Sequence, residues 1–370
     1  MEKELNIGIV GAGNFAAFAA RAFLEVEGVR VLGVSDVSKK AGNGLANKLH
    51  AEFYEDYIDL FSNKRIDLVY IATPPFLHYK ISREALRSGK HVICEKPAAL
   101  HVEEAEELQS MARHSGLLYV VNLMQRYNPL YQKVKAIITE GILGDFLHGY
   151  FENYASDEFL GRDHWFWKDS MSGGIFVEHG VHFFDMFSGW LGQGKVINAM
   201  QLTRPGTGLA IIDRVQATLL YPHGIVNFYH GFDQPKVLDR QEMKLQFEKG
   251  DLTLYEWVPV SMKLHGILKQ ENKSRLMKLL DPVAITLDSH YVDPQYATGR
   301  FIAISYDDIV TIQHQNRNGK EALYQQLLRD MITDQWQWIM DRTHNRVIDD
   351  HNAVESLRVA TEAKQKAIVF

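Results

Sequence analysis

The stretch GIVGAGNFAAFAARAFLEV, beginning at Gly8, constrains the fold more than any other part of this chain. A β-branched apolar run passes through two glycines directly into a segment with helical spacing. Gly11, Gly13 and Ala16 stand at GxGxxA spacing. Gly11 allows the sharp turn, Gly13 leaves room beside the backbone for a pyrophosphate, and Ala16 keeps helix and strand close. The N–H groups at the start of that helix then face whatever anion lies there.

The same alternation continues. NIGIV (6–10), VRVLGVSD (29–36), DLVYIA (67–72), HVICE (91–95) and LLYVVNL (117–123) read as strands, with helix patterns at 14–26, 39–49, 76–88 and 102–114. Strand and helix in strict turn predict right-handed crossovers and a parallel, doubly wound α/β sheet. Asp36 closes the second strand, roughly 20 residues beyond the glycines, where an acid accepts hydrogen bonds from ribose hydroxyls and repels a 2′-phosphate. NAD is therefore expected, with NADP possible because Lys39 and Lys40 lie close by.

After Tyr127 the rhythm changes. FLHGYFENY, VINAMQL, DRVQATLLY, GIVNFYH, EMKLQFE and LTLYEW follow one another, with tight-turn signals YPHG and EKGD. This pattern predicts a second, α+β domain built on an open, mainly antiparallel sheet. Helices are expected at 175–190, 263–280, 320–342 and 351–367, and the stretch 258–300 carries the weakest pattern. The expected division is 1–123, a nucleotide-binding domain, and 124–370, a domain for substrate and self-assembly. A chain of 370 residues is long for one core, which agrees.

Composition excludes several classes. No apolar run reaches the roughly 18 residues of a membrane span. The opening MEKELNIGIVG has no basic region followed by a long apolar segment, so a cytoplasmic protein is expected. With 40 Lys and Arg against 46 Asp and Glu and no long basic run, nucleic acid is not an expected partner. A single cysteine, Cys94, rules out an intramolecular disulfide framework and reads as a small core residue at a strand end.

The segment SGGIFVEHGVHFFD (172–185) sets Glu178 and His182 four apart in an apolar run. On a helix they share a face, with the acid on the favourable N-terminal side. His179, His182 and Asp185 also permit a metal reading, since histidines at i and i+3 meet on a helix. The glycines before the segment suggest close backbone approach to a cofactor instead, and no metal is expected.

ATPPFLH (72–78), ALRSGKHVICEKPAA (85–99) and GGIFVEHGVHFFD (173–185) resemble, in order and spacing, signature segments of the glucose-fructose oxidoreductase / inositol dehydrogenase / rhizopine catabolism (Gfo/Idh/MocA) family. The resemblance is dense over 6–192 and beyond that rests on architecture. It implies a Rossmann domain joined to an open sheet, and oxidation or reduction of a sugar, cyclitol or related polyol with a nicotinamide cofactor. By position Lys96 matches the lysine of the Glu-Lys-Pro motif and His182 the histidine of the Asp-x-Gly-x-His motif. The acid of that motif is Glu178 here, where the family usually has Asp. The resemblance thus implies Lys96, His182 and Glu178 as catalytic residues; with the division at 123/124, the ammonium is expected from the nucleotide-holding half and the imidazole from the other.

Hydride transfer from a carbinol carbon leaves a hydroxyl proton to be removed, a task for a histidine titrating near neutrality. An ammonium stabilises the developing alkoxide. Around this centre the expected cofactor contacts are Gly11, Gly13, Asn14, Phe15, Asp36, Thr73, Pro74, His78 and Glu95, since ligands of open α/β sheets collect at the carboxyl ends of strands. Candidate substrate contacts are Arg126, at the domain junction, where it reaches substrate or caps the next helix, His179, and Arg162, Trp165 and Trp167 in RDHWFWKD. The alternative to a dehydrogenase is a redox-neutral glycosidase or lyase working through a transient keto-sugar. A catalytically silent NAD sensor is the third reading, against which Lys96 and His182 speak. A homodimer or homotetramer is expected if the second sheet leaves one face uncovered.

Overall fold

A computed structural model describes residues 4–157, 160–204, 211–280, 284–299 and 302–370. The first sheet has six parallel strands: β1 (Leu5–Val10), β2 (Val29–Ser35), β3 (Glu52–Tyr54), β4 (Leu68–Ile71), β5 (His91–Cys94) and β6 (Tyr119–Val121). Their order is β3-β2-β1-β4-β5-β6, the doubly wound arrangement expected. β1, β4 and β6 are almost wholly buried because helices cover both faces. These crossovers are α1 (Asn14–Leu24), α2 (Lys39–Leu49), α3 (Tyr57–Ser62), α4 (His78–Arg87) and α5 (Val102–Ser115). β3 and α3 have no counterpart in the sequence reading; three residues are too few to show a period.

The second sheet is mixed, mainly antiparallel, and has ten strands among the described residues. After α6 (Pro129–Thr139) it begins with β7 (Phe146–Tyr154). A short α7 (Asp169–Ser172) and α8 (Val181–Leu191) precede β8 (Lys195–Thr203), β9 (Ile212–Tyr221), β10 (Gly224–Gly231), β11 (Arg240–Phe247), β12 (Gly250–Tyr255) and β13 (Ser261–Leu268). The YPHG and EKGD signals are the β9–β10 and β11–β12 turns, where Tyr221 pairs with Gly224 and Phe247 with Gly250. α9 (Gln270–Leu280), β14 (Ala284–Gly299), β15 (Ile302–Gln315), α10 (Lys320–Met340), α11 (Asp350–Lys366) and β16 (Ala367–Val369) complete the chain.

One expected helix is corrected. The segment 263–280 is helical only from Gln270; Met262, Leu264 and Leu268 are buried at alternate positions of strand β13. That period of two defines a half-buried strand, and tertiary pairing with β12 and β15 fixes it.

The chain forms two compact units. One comprises Met1–Tyr127, Leu160–Asp185 and Tyr324–Gln365; the other comprises Asn128–Phe159, Met186–Leu323 and Lys366–Phe370. Compactness therefore does not follow the single cut at 123/124, because the chain returns to the first unit twice. Side chains from its last third hold it there: Gln325 Nε2 donates to the Phe18 carbonyl at 3.0 Å, and Arg113 pairs with Asp350 at 2.5 Å.

In the second unit one sheet face buries Val215, Ala217, Leu219, Val226, Phe228, Met243 and Leu245. Phe187 of α8 packs edge-on to Phe228 at 5.0 Å. The opposite face carries Tyr150, Glu152, Tyr154, Tyr229, Glu242 and Lys244, all partly exposed and linked by polar contacts such as Tyr150 donating to Glu242.

Candidate functional site

Because every strand of the first sheet runs the same way, its carboxyl ends deliver their following residues to one edge. β1 delivers Gly11, β2 Asp36, β4 Thr73 and β5 Lys96. Gly11 has φ +99°, and a Cβ there would lie 2.4 Å from the Ala72 carbonyl oxygen, so only glycine makes this turn. A Cβ on Gly13 would meet nothing within 4 Å, and no side chain caps the helix that begins at Asn14. An open approach to uncapped N–H groups suits a pyrophosphate. Asn14 is exposed at that terminus, and Phe15 packs on Phe18 and Tyr324 at centroid distances of 6.1 and 5.9 Å. Asp36 Oδ2 accepts from Ala12 N at 2.7 Å, which ties the acid to the glycine turn.

On the β4 side, Thr73 and Pro74 are half-buried, and the Thr73 hydroxyl has no hydrogen-bond partner among the described residues. His78 is buried with both ring nitrogens at 2.7 Å from backbone carbonyls, those of Pro97 and Thr73. It therefore clasps the chain after β4 to the chain after β5. Burial lowers its pKa, although the two carbonyls work the other way.

Glu95 is buried too. Its carboxylate accepts from Tyr70 Oη and, at 2.7 Å, from Asn122 Nδ2, and burial raises its pKa. Tyr70 and Asn122 had no place in the sequence reading. The available signal was a carboxylate at the end of a buried strand, which needs donors on the neighbouring strands.

The next residue, Lys96, is the sequence-predicted catalytic lysine. Its Nζ donates to the Glu178 carbonyl oxygen at 2.8 Å and forms an ion pair with the Glu178 carboxylate. Glu178 lies in a π-helical turn, Phe176–Gly180, that runs into α8; such turns are rare and recur at functional sites. Gly173 and Gly174, at φ +80° and +82°, bring the chain into that turn, and a Cβ on Gly173 would lie 2.6 Å from Val177. Their need for glycine is thus local.

His182 follows in the first turn of α8. It is buried, and its pKa is pushed well below the ordinary value by burial first and then by the charge of Lys96. An imidazole titrating near neutrality was expected; the buried one is neutral at pH 7. His182 also belongs to the first unit, with Lys96 and Glu178, rather than to the other half of the chain.

Arg126 is a further finding. Its Nε and Nη2 grip the Asp185 carboxylate at 2.7 and 2.8 Å, and Nη2 also donates to the Asp185 carbonyl at 3.0 Å. The cap of the next helix is instead Asn128, whose side chain accepts from Leu130 N at 2.9 Å. Asp185 is 2% exposed, and burial raises its pKa against the pull of Arg126. Among the described residues no three His, Cys, Asp or Glu side chains come together as a metal-binding group. His179 is half-buried against Phe183 at 5.2 Å.

Trp165 and Trp167 are half-buried on a single 3₁₀ turn, with Phe166 buried between them and Arg162 exposed just before. His164 Nδ1 caps that turn from 3.3 Å. Cys94 is buried and free, its thiol pKa raised by burial.

Comparison with known proteins agrees with the fold. Residues 5–123 match the description "Oxidoreductase family, NAD-binding Rossmann fold", and residues 131–253 match "GFO/IDH/MocA C-terminal domain". An inositol 2-dehydrogenase of Rubrobacter xylanophilus is 31% identical over 38% of this chain and 42% of its own. A 2,7-anhydro-N-acetylneuraminate hydratase of Escherichia coli is 28% identical over 51% of this chain and 50% of its own. The matched region thus spans about half the length of the curated relatives. The solved structure of KijD10, a 3-ketoreductase from Actinomadura kijaniata in complex with NADP and TDP-benzene, superposes with a TM-score of 0.77 at 18% identity, covering 100% of both chains. No helix among the described residues is long and apolar enough to cross a membrane. Both halves of the match lead to one conclusion: the chain belongs to the GFO/IDH/MocA oxidoreductase family and carries its NAD-binding Rossmann domain.

Proposed function

We propose that this protein is an NAD-dependent oxidoreductase that moves a hydride between nicotinamide and a carbinol carbon of a sugar, cyclitol or related polyol, or its keto form. One observation carries the reading: a lysine, a carboxylate and a buried neutral histidine gather in the unit that also holds the glycine turn.

Bound NAD supplies the hydride acceptor or donor. The uncapped start of α1 beside Gly13 receives the pyrophosphate, with Asn14 and Phe15 at the same terminus, and Asp36 accepts from the ribose hydroxyls. Beside Pro74, Thr73 carries a buried hydroxyl that has no hydrogen-bond partner among the described residues. His78 and Glu95 act there by fixing the strand ends, since their polar atoms are engaged within the protein. Lys96 donates to the reacting oxygen and stabilises its alkoxide character. His182, neutral, takes the hydroxyl proton during oxidation and returns it during reduction. Glu178 holds the Lys96 ammonium in place. Arg162, Trp165, Trp167 and His179 are the candidate contacts for the substrate ring, and Arg126 supports the helix that carries His182.

The test is a panel of sugars, inositols and their keto forms incubated with the protein and NAD, read by nicotinamide absorbance. Stoichiometric NADH with one oxidised product supports the reading. Aryl glycosides incubated with the NAD-loaded protein test the second reading, redox-neutral elimination through a transient keto-sugar, in which the phenol is released without net NADH. Two features favour that alternative: Glu178 stands where the resemblance expects Asp, and a hydratase is among the relatives. We also propose that the partly exposed face of the second sheet pairs copies of the chain into a homodimer or homotetramer; a monomeric mass by light scattering contradicts this.

A further inference from the structure

Strands β2 and β3 are parallel neighbours in which Ser35 pairs with Tyr54. The next residues, Asp36 and Glu55, therefore leave the sheet side by side at its carboxyl edge. Their carboxylates do different things. Asp36 turns toward the glycine turn and its own loop, accepting from Ala12 N and Ser38 N, each at 2.7 Å. Glu55 turns to Lys39, the first residue of α2, and pairs with its ammonium at 2.5 Å. Lys40 follows, exposed.

This edge is where the adenosine ribose lies in a domain of this topology. A 2′-phosphate brings a charge of about −1.5 to −2 and needs a cation to meet it. Lys39, three residues after Asp36 and the first residue of α2, is a cation placed to do so. Glu55 occupies it. The Lys39 and Glu55 side chains are 70% and 66% exposed, and an ion pair so exposed contributes little to stability. Its effect is on charge instead: it neutralises the Lys39 ammonium, leaving Lys40 as the remaining cation at the start of α2, and sets a second carboxylate on the strand end beside Asp36.

We infer that Glu55 is a second determinant of cofactor choice, discriminating against NADP by sequestering Lys39. This rests on the proposed preference for NAD and extends it to a residue that need not touch the ribose. Loss of Glu55 leaves the fold intact and frees Lys39 to donate to a phosphate oxygen.

The experiment is a fluorescence titration of the full chain with NADH and with NADPH, giving a Kd for each without any substrate. It compares wild type, Glu55→Gln, Glu55→Gln with Lys39→Met, and Asp36→Ser. Wild type is expected to bind NADH more tightly. Glu55→Gln should tighten NADPH by about two- to fivefold, the range that release of a lysine from an exposed ion pair can supply, with NADH nearly unchanged. Adding Lys39→Met should cancel that gain. If Asp36→Ser moves the ratio of the two Kd values while Glu55→Gln leaves it at the wild-type value, the role of Glu55 is overturned and the NAD preference stands. If wild type binds NADPH as tightly as NADH, the preference itself is overturned and the inference with it.

Discussion

Lys96 holds Glu178 at two points, the carbonyl oxygen at 2.8 Å and the carboxylate through an ion pair. The two residues are 82 positions apart in the chain, so the Rossmann strand end and the π-helical turn are locked to each other through this one ammonium. The length of the acid side chain matters to that lock. Glu178→Asp withdraws the carboxylate by about 1.5 Å, one C–C bond, and should lower kcat by about 10- to 100-fold. NADH affinity, measured by fluorescence, should stay within about twofold, because no cofactor contact is altered. An Asp variant with full turnover contradicts the positioning role of Glu178.

His182 gives a pH test. Its pKa is depressed by burial and by Lys96, so the imidazole stays neutral at pH 7 and through its ordinary value as pH falls. As a proton acceptor it loses function only below that depressed pKa, and the acid limb of the rate profile should lie below about 6.5. In an NMR titration the His182 ring resonance should show its midpoint below that value, moving up in Lys96→Met. A midpoint at or above the ordinary value refutes the buried, neutral assignment.

Arg126 and Asp185 give a test of stability. Arg126→Met leaves a buried carboxylate without its cation, a change that costs about 3–5 kcal/mol. Asp185→Asn in the Arg126→Met background should recover part of the loss, because the charge is gone. Urea unfolding monitored by far-UV circular dichroism measures both. Equal midpoints for wild type and Arg126→Met would mean the pair is idle.

His230 lies in the core of the second sheet, its ring 5.1 Å from Phe151, and burial pushes its pKa down to about 3. The sign follows from proton uptake. Below about pH 6.5 the unfolded chain binds a proton that the native ring refuses, so stability present above that value declines as pH falls toward the native pKa. The slope reaches about 1.4 kcal/mol per pH unit for this one group. His230→Phe should flatten the dependence of the unfolding midpoint between pH 6 and pH 4, roughly the window those two pKa values define. An unchanged slope refutes it.

The features legible in the sequence are those with a local signature. The glycine turn between β1 and α1, Asp36 at the end of β2, and the β9–β10 and β11–β12 turns each follow from a few adjacent residues. Features that depend on distant partners were not legible. Strand β14, inside the weakly patterned stretch 258–300, is defined by its antiparallel pairing with β15 beyond it. The Arg126–Asp185 pair joins positions 59 apart, and nothing beside either residue announces the other. His182 was expected opposite the nucleotide-holding half because chain order suggested it, whereas the segment Leu160–Asp185 packs back into the first unit. Its low pKa was hidden for the same reason, since burial is a property of the folded chain.

All of the proposed chemistry depends on an ammonium and an imidazole acting on one substrate oxygen. Once the substrate panel yields a turned-over compound, kcat and NADH affinity of Lys96→Ala and His182→Ala decide the matter. Each variant should lose two or more orders of magnitude in kcat, about the contribution of a positioned acid or base, while binding NADH as wild type does. Turnover at the wild-type rate in both variants would place the reaction elsewhere in the protein.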